Sequence, residues 1–384
     1  MNWFLTEEQR MIVETAREIA QKKIVPVREK YDHDGIFPWD VVKACAEADL
    51  CGLYIPSDYG GFGGGVFELC LAVEEMSKVC GGISLAIAAT ALGTFPLLLF
   101  GSDEQKKKYL PDIASGKKLA AFGLTEANAG SDALSMKTTA VRDGDTYVLN
   151  GAKQWITNGE NAEIYTIIAK TNPQKGARGL TAFIVEKGTP GFSFGKHEDK
   201  MGIRASSTTE LIFQDCRVPA ASVLSREGMG TIVTITTLNN SRPGVGAQAL
   251  GIAAGALDDA VKYSRERIQF GAPVSSFQAI QHMLADMATQ IEAARALMYA
   301  TARTIDAGEK KFAKESAMSK LFCSDVAMKV TVDALQIMGG YGYMREYPME
   351  KRMRDAKITQ IYEGTNQIQR NEIALALIKA AAAE

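Results

Sequence analysis

The spacing of apolar residues changes twice along the chain and divides it into three regions. Up to about residue 119, apolar residues recur every three or four positions, as they do in amphipathic helices. The middle of the chain carries short runs of β-branched and aromatic residues separated by Gly, Pro and Asn, which predict strands. Helical spacing returns after Gly228. Helices and strands segregated in this way argue against an alternating βαβ protein.

The predicted fold is therefore mainly α with a middle β domain. Short strands with such turns favour a small antiparallel barrel or sandwich, and long amphipathic helices without intervening strands favour a helical bundle. The apolar residues from Ile280 to Met298 form one stripe, which predicts a long helix. The expected domains are an N-terminal helical domain, a middle β domain and a C-terminal helical bundle, at residues 1–120, 121–227 and 228–384.

Two local signals make sharper predictions. Thr6 is followed by Gln9 at the spacing of a capping box, so the first helix is expected to begin there. Asn150 and Gly151 follow an apolar run and precede Trp155. Because Asn-Gly suits a type I′ turn, this dipeptide predicts a hairpin.

One stretch is apolar enough to resemble a membrane span. Residues 79–102 carry no charge and are long enough to cross a bilayer. Gly93 and Pro96 interrupt them, and proline breaks the helical hydrogen-bond ladder, so we predict two shorter buried helices and no membrane span. The first residues have neither a secretory signal nor an Arg/Ser-rich transit peptide, which predicts a cytoplasmic protein.

Composition narrows the function classes. The chain has 384 residues, of which 46% are hydrophobic, so it is too apolar to be disordered. Its 43 Lys and Arg residues nearly balance its 45 Asp and Glu residues, and without a basic excess we expect no nucleic-acid binding. The six cysteines form no C-x-x-C pair and the three histidines lie far apart, which argues against a metal site and favours reduced, buried thiols.

Several common motifs are absent or lack their context. The chain has no G-x-G-x-x-G after a strand and no P-loop, so Rossmann-type nicotinamide binding and P-loop phosphoryl transfer lose their main support. Residues 191–195 match G-x-S-x-G around Ser193, with His197 nearby. The nucleophile elbow needs a strand before the serine and a helix after it, and no helical pattern follows here, so we interpret this segment as a surface strand.

Three separate segments carry residues that suit a ligand site. Residues 122–132 are small or hydroxylated, so their backbone can approach a ligand, although an ordinary turn has the same composition. Trp155 places a flat ring beside the hydroxyl of Thr157; a core tryptophan is the alternative. Glu363 precedes Gly364 at the end of an apolar stretch and could act as a base in a cleft; a solvated helix-terminal carboxylate is its alternative.

These segments, in this order, closely resemble the acyl-CoA dehydrogenase family. The resemblance runs from Thr6 to Arg370 and includes further matching pieces, at residues 239–243, 265–271, 278, 336–342 and 354–357. It implies an N-terminal helical domain, a middle β domain and a C-terminal four-helix domain. It also implies FAD as a non-covalent cofactor and a homotetramer built from two dimers.

The resemblance also implies individual contacts with FAD. Phe122, Leu124 and Thr125 would line one side of the isoalloxazine ring. Trp155 and Thr157 would line the other side, with the Thr157 hydroxyl near flavin N5. Arg267 would meet the pyrophosphate, and Gln336 and Gly340 would reach the FAD of a neighbouring subunit. The implied cofactor-binding residues are Phe122, Leu124, Thr125, Gly130, Ser131, Trp155, Ile156, Thr157, Arg267, Gln269, Phe270, Val274, Phe277, Gln278, Gln336, Ile337, Gly340, Thr365 and Gln367.

The implied reaction is the dehydrogenation of an acyl-CoA thioester to the trans-2-enoyl-CoA. Glu363 would take the α-proton while the β-hydride passes to flavin N5, and the electrons would leave to an electron-transferring flavoprotein. The Glu363 backbone N–H and the FAD ribityl 2′-hydroxyl would stabilise the enolate oxygen. Some relatives carry the base at the position of Ser241, which cannot serve. The implied substrate-binding residues are Ser131, Asn239, Arg242, Tyr362, Glu363 and Gly364.

The acyl group is less constrained. Residues 83–100 are expected to border the acyl pocket, and Ile83 is expected where glutaryl-CoA dehydrogenases carry an arginine, which favours a neutral chain. A short chain such as butyryl is predicted; branched, cyclic, aryl-substituted and dicarboxylic groups stay open. Two other classes of protein are considered. A flavin-binding scaffold without activity is disfavoured because Glu363 is retained. An acyl-CoA oxidase is disfavoured because such chains usually carry an extra C-terminal domain, which is not found after Arg370.

Overall fold

Helices make up the part of the chain that precedes the sheet. The computed structural model describes residues 4–382; residues 1–3, on which the prediction of no targeting segment partly rests, lie outside it. The first helix has the predicted capping box, because the Thr6 hydroxyl accepts from the Gln9 N–H at 3.1 Å and the Gln9 side chain accepts from the Thr6 N–H at 3.1 Å. The helices are α1 (Glu7–Ile19), α2 (Arg28–Asp34), α3 (Trp39–Glu47), α4 (Val66–Ser77), α5 (Gly81–Phe100) and α6 (Asp103–Ala114).

The uncharged segment forms one helix, α5, so the prediction of two shorter helices is wrong. Pro96 lies inside this helix and removes one backbone hydrogen bond, but most of the helix is buried. Gly93 serves close packing, because a Cβ there would lie 2.5 Å from the Ala121 amide nitrogen. Burial of the apolar helix outweighs the lost bond. Within residues 4–382, α5 is the one helix long and apolar enough to span a membrane, and 72% of its apolar window is buried inside the protein.

The middle region forms one curled seven-stranded sheet. Strand β5 pairs with β4, and the pairing continues through β2, β3 and β7 to β6. The sheet is mixed, not wholly antiparallel as predicted, because β4 pairs in parallel with β1 and with the start of β2. The strands are β1 (Ala120–Gly123), β2 (Thr139–Asp143), β3 (Thr146–Thr157), β4 (Ile164–Lys170), β5 (Leu180–Glu186), β6 (Phe192–His197) and β7 (Thr208–Pro219).

Asn150 and Gly151 do not form the predicted hairpin turn. They lie within β3 at a bulge against β7, where Gly151 has φ +141° and the Asn150 side chain bonds to Asp215 on β7. The tight turn between β2 and β3 lies instead at Gly144, whose φ is +59°. Ser193 lies exposed on β6, as the surface-strand interpretation predicted.

Helices return after the sheet. The predicted apolar stripe lies on α8, where Met287, Ile291 and Met298 are buried. Helices α7, α8 and α9 pack on one another, and α11 and α12 pack on α9. The elements are α7 (Gly230–Glu266), β8 (Ile268–Gln269), β9 (Ala272–Pro273), α8 (Gln278–Asp306), α9 (Ala313–Met338), α10 (Gly340–Tyr343), α11 (Met349–Ile358) and α12 (Asn366–Ala381).

Helix α5 brings the three regions together. It packs against β1 of the sheet and against α7, while α11 ends just before Glu363. The six cysteines are all buried and free, as expected.

Candidate active site

A cavity of about 430 Å³ lies where α5, the sheet, α7 and the segment between α11 and α12 meet. Its volume is in the range typical of small-molecule sites. The cavity unites residues that are more than 200 positions apart in the sequence. The predicted site residues that line it are Phe122, Leu124, Thr125, Gly130, Ser131, Trp155, Ile156, Thr157, Arg242, Tyr362, Glu363 and Gly364.

Glu363 lies on a strained turn in the cavity wall. Its φ is +51°, which is unfavourable for a residue with a side chain, and Gly364 follows at φ +86°. The turn is held from two sides: Gln369 Nε2 donates to the carbonyls of Glu363 and Gly364 at 3.1 and 2.9 Å, and Lys320 Nζ donates to the Gly364 carbonyl at 2.8 Å. Such strain is typical of functional positions, and Glu363 is not a solvated helix-terminal carboxylate.

Burial raises the pKa of the Glu363 carboxyl, which makes the carboxylate a stronger base. Three groups oppose this shift. The Ser241 hydroxyl donates to Glu363 Oε2 at 2.5 Å, and the charges of Lys320 and Arg242 favour the ionised form. Ser241 cannot be a base, but it contacts the residue that can. Some relatives carry the base at the position of Ser241, and this was the indication in the sequence that residue 241 lies close to Glu363.

Arg242 is buried and its charge is compensated. Its guanidinium forms a two-point ion pair with Glu372, at 2.7 and 2.8 Å, and also donates to Asn239 Oδ1 at 3.0 Å. Asn239 does not line the cavity itself but contacts Arg242, which does. Glu372 lines the cavity and was not predicted from the sequence. Within residues 4–382 the Nε of Arg242 has no hydrogen-bond partner.

Trp155 presents its ring to the cavity. It lies at a second bulge between β3 and β7, with φ +58°, and is 55% exposed, so it is not a core tryptophan. Leu124, Thr125 and Thr157 line the same cavity. An exposed aromatic ring among hydroxyl groups is suited to stacking against a flat ligand with polar edges.

A buried ion pair fixes the segment that follows β1. Lys153 Nζ donates to the Leu124 carbonyl at 3.0 Å and to Glu126 Oε1 at 2.8 Å. Glu126 also accepts from the backbone N–H groups of Lys137 and Thr138, at 2.6 and 3.0 Å. Burial lowers the pKa of Lys153 to about 8, and Glu126 opposes that shift. Neither residue was predicted from the sequence.

The side of the cavity formed by α5 is apolar. Leu85, Ala89 and Leu92 line it from one face of α5, at the spacing of successive helical turns. Ile83, the position predicted by counting, is buried in the main core and does not line this cavity. The wall that α5 contributes to the cavity is uncharged, because the residues that line it are aliphatic.

A second, shallower cavity holds another part of the predicted site. Arg267, Gln269, Val274, Ile337 and Gly340 line it, so the structure separates them from the first cavity. The Arg267 guanidinium lies over the Tyr341 ring at 5.3 Å and forms no ion pair with any residue from 4 to 382.

The remaining predicted cofactor residues line neither cavity in one chain. Phe270 is 97% exposed and contacts Phe277 edge-on, and Gln278 begins α8. Gln336 is exposed near the end of α9, Thr365 caps α12, and Gln367 is exposed in its first turn.

Comparisons with known proteins agree over nearly the whole chain. Three acyl-CoA dehydrogenase family models match: the N-terminal domain at residues 6–117, the middle domain at 121–216 and the C-terminal domain at 228–378. The chain is 50% identical over 381 residues to the acryloyl-CoA reductase (NADH) of Anaerotignum propionicum, covering 99% of this chain and 96% of that protein.

Solved structures give the same result. The chain is 52% identical, with TM-score 0.96, to a chain of the electron transferring flavoprotein structure of Acidaminococcus fermentans, covering 98% and 99%. It is 48% identical, with TM-score 0.96, to the butyryl-CoA dehydrogenase of Megasphaera elsdenii, covering 98% and 100%. An acyl-CoA dehydrogenase complexed with FAD, from Bacillus anthracis, is 35% identical with TM-score 0.92, covering 99% and 68%. The chain belongs to the acyl-CoA dehydrogenase family.

Proposed function

We propose that this protein catalyses the FAD-dependent α,β-dehydrogenation of an acyl-CoA thioester, with Glu363 as the base. The observation that carries the proposal is the Glu363 carboxylate, which lies on a strained turn in the same cavity as the exposed Trp155 ring. A base beside an aromatic platform suits a reaction that removes a proton and a hydride from neighbouring carbons.

The cavity residues fit FAD. The exposed ring of Trp155 and the hydroxyls of Thr125, Ser131 and Thr157 suit a flat ring system with polar edges, and the relative from Bacillus anthracis is described as complexed with FAD. When bound, FAD supplies the acceptor for the hydride. The guanidinium of Arg267, which forms no ion pair with the described residues, lines the second cavity and suits a pyrophosphate.

Glu363 takes the α-proton of the substrate in this proposal. Its raised pKa increases its basicity, and the Ser241 hydroxyl keeps the reacting carboxylate oriented. The Glu363 backbone N–H forms no hydrogen bond with another part of the described chain, so it can donate to the thioester oxygen as negative charge develops there. Leu85, Ala89 and Leu92 would exclude water from the acyl side.

The proposed substrate is a short, neutral acyl-CoA such as butyryl-CoA. The acyl wall is aliphatic, and Tyr362 bounds it with its hydroxyl hydrogen-bonded to Gln248, which donates to the Gly81 carbonyl at 2.8 Å. This anchored side chain limits the room for a long chain. The names of the relatives from Megasphaera elsdenii and Anaerotignum propionicum also refer to short acyl groups.

Partner and assembly proposals follow from the same resemblance. We propose that the electrons pass to an electron-transferring flavoprotein, in line with the 52% identity to a chain of the Acidaminococcus fermentans structure. We further propose a cytoplasmic homotetramer that acts in acyl-CoA oxidation, with domains at residues 1–120, 121–227 and 228–384.

A panel of acyl-CoA substrates tests the function. Anaerobic bleaching of the flavin should be fastest with butyryl-CoA, and kcat/KM should fall at least about tenfold for octanoyl-CoA and for glutaryl-CoA. The long chain meets the anchored Tyr362, and the second carboxylate of glutaryl-CoA finds no cation on the aliphatic wall. Isobutyryl-CoA and a phenyl-substituted acyl-CoA complete the panel. Bleaching by none of them would favour an inactive scaffold.

Replacing Ser241 with alanine tests the contact to the base. The hydroxyl stabilises the ionised carboxylate, so its loss should raise the pKa of Glu363 further. Because the base must be ionised, the acid limb of kcat/KM should move to higher pH, with a severalfold loss of rate on that limb. Ser241→Thr keeps a hydroxyl and serves as the control. An unchanged acid limb in Ser241→Ala would show that the hydrogen bond has no influence on the base.

A further inference from the structure

A buried lysine lies directly behind the turn that carries Glu363. Lys320, on α9, is 0% exposed, and its Nζ donates to the Gly364 carbonyl and to Asn366 Oδ1, each at 2.8 Å. Both acceptors are neutral. No carboxylate oxygen among residues 4–382 lies within ion-pair distance of this ammonium. Lysine is almost never fully buried without a charged partner, so its position here needs a reason.

We propose that Lys320 is a positioning residue for the reaction: it holds the turn through the Gly364 carbonyl and supplies the positive charge that keeps the Glu363 carboxylate ionised. This inference rests on the proposed role of Glu363 as the base. Lys320 does not line the cavity, and it acts on the substrate only through Glu363.

The hydrogen bonds alone do not explain why this residue is a lysine. The neutral amide of Gln369 already donates to the carbonyls of both Glu363 and Gly364. A second neutral donor would hold the same turn without the cost of burying a charge. The property that lysine adds to this arrangement is its charge.

The neighbouring charges leave Lys320 as the uncompensated cation. Arg242 faces Glu363 from α7, but its charge is matched by the two-point ion pair with Glu372 on α12. Asp325 faces Lys320 from the same helix, but it is engaged by Arg370 at 2.8 Å and by the Asn366 side chain at 2.7 Å. The Glu363 carboxylate and the Arg242 guanidinium also face Lys320; the carboxylate raises the pKa of the lysine and the guanidinium lowers it.

The charge of Lys320 depends on pH. Burial lowers the pKa of Lys320 to about 7, and Glu363 opposes that shift, so the ammonium is charged below neutral pH. Burial raises the pKa of Glu363, which favours the protonated, inactive carboxyl as the pH falls. A nearby positive charge favours the ionised form.

The test compares pH profiles of the holoenzyme, measured as anaerobic flavin reduction by butyryl-CoA. Lys320→Met removes the charge and the hydrogen bonds with little change in shape. Gln369→Leu is the matched control, because it removes hydrogen bonds to the carbonyls of Glu363 and Gly364, the second of which Lys320 also binds, but no charge. Lys320→Met should lower kcat/KM about tenfold and move its acid limb to higher pH. Gln369→Leu should lower the rate without moving the limb.

Two further variants separate the possible failures. Lys320→Gln can still donate to the Gly364 carbonyl but carries no charge, so it should move the acid limb as Lys320→Met does; it decides the question if Lys320→Met does not fold. A limb that stays in place in the Lys320 variants, or a profile that matches Gln369→Leu, overturns this inference alone. Glu363→Gln is measured alongside, and normal flavin reduction by that variant overturns the proposed function instead.

Discussion

Replacing Glu363 with glutamine is expected to leave FAD bound and to slow anaerobic flavin reduction by butyryl-CoA about 10⁴-fold. The amide has nearly the same shape and can still accept the hydrogen bond from Ser241, so the turn should be preserved. It cannot take a proton, and the loss of a positioned general base typically costs up to about 10⁴-fold in rate. The measurement is stopped-flow absorbance of the flavin.

The matched control is Asp132→Asn. Asp132 is another carboxylate that lines the cavity, and the chemical change is the same. This variant should reduce its flavin within about tenfold of the wild-type rate. Activity retained in Glu363→Gln but lost in Asp132→Asn would mean that the base has been assigned to the wrong carboxylate.

The order of helices and strands was readable from the sequence because each depends on local spacing. The capping box at Thr6 and the apolar stripe on α8 are signals of this kind, and both are confirmed. The errors arise where tertiary packing overrides a local preference. Pro96 is carried inside a buried helix, and the Asn150–Gly151 dipeptide forms a bulge because its side chain is bonded to a neighbouring strand.

The candidate site likewise contains residues that a local sequence signal identifies and residues that only tertiary packing brings there. Glu363 and Trp155 stand in recognisable segments, and the cavity brings both together. Lys153 and Lys320 were missed because a lysine on a strand or an amphipathic helix is ordinarily solvated, and their burial arises from elements distant in the sequence. Ser241 was excluded as a base, whereas its position as a donor to Glu363 depends on how α7 approaches the turn.

Replacing Arg267 with alanine is expected to weaken FAD binding about 10- to 100-fold and to loosen the assembly. Arg267 lines the second cavity, and among residues 4–382 its guanidinium has an aromatic contact but no ion pair. A cation left unpaired in this way is free to bind an anionic group. Charge-assisted hydrogen bonds contribute about 1.5–3 kcal/mol, which corresponds to that change in affinity.

The dissociation constant of FAD, measured by quenching of flavin fluorescence, gives the primary result, and sedimentation gives the assembly state. Arg265→Ala is the control, because Arg265 lies two residues away, is exposed and does not line the cavity. It should bind FAD as the wild type does. Equal FAD affinity in Arg267→Ala and Arg265→Ala would exclude a pyrophosphate contact at Arg267. A loss confined to Arg267→Ala, together with a smaller assembly, would indicate that the second cavity holds cofactor where two copies of the chain meet.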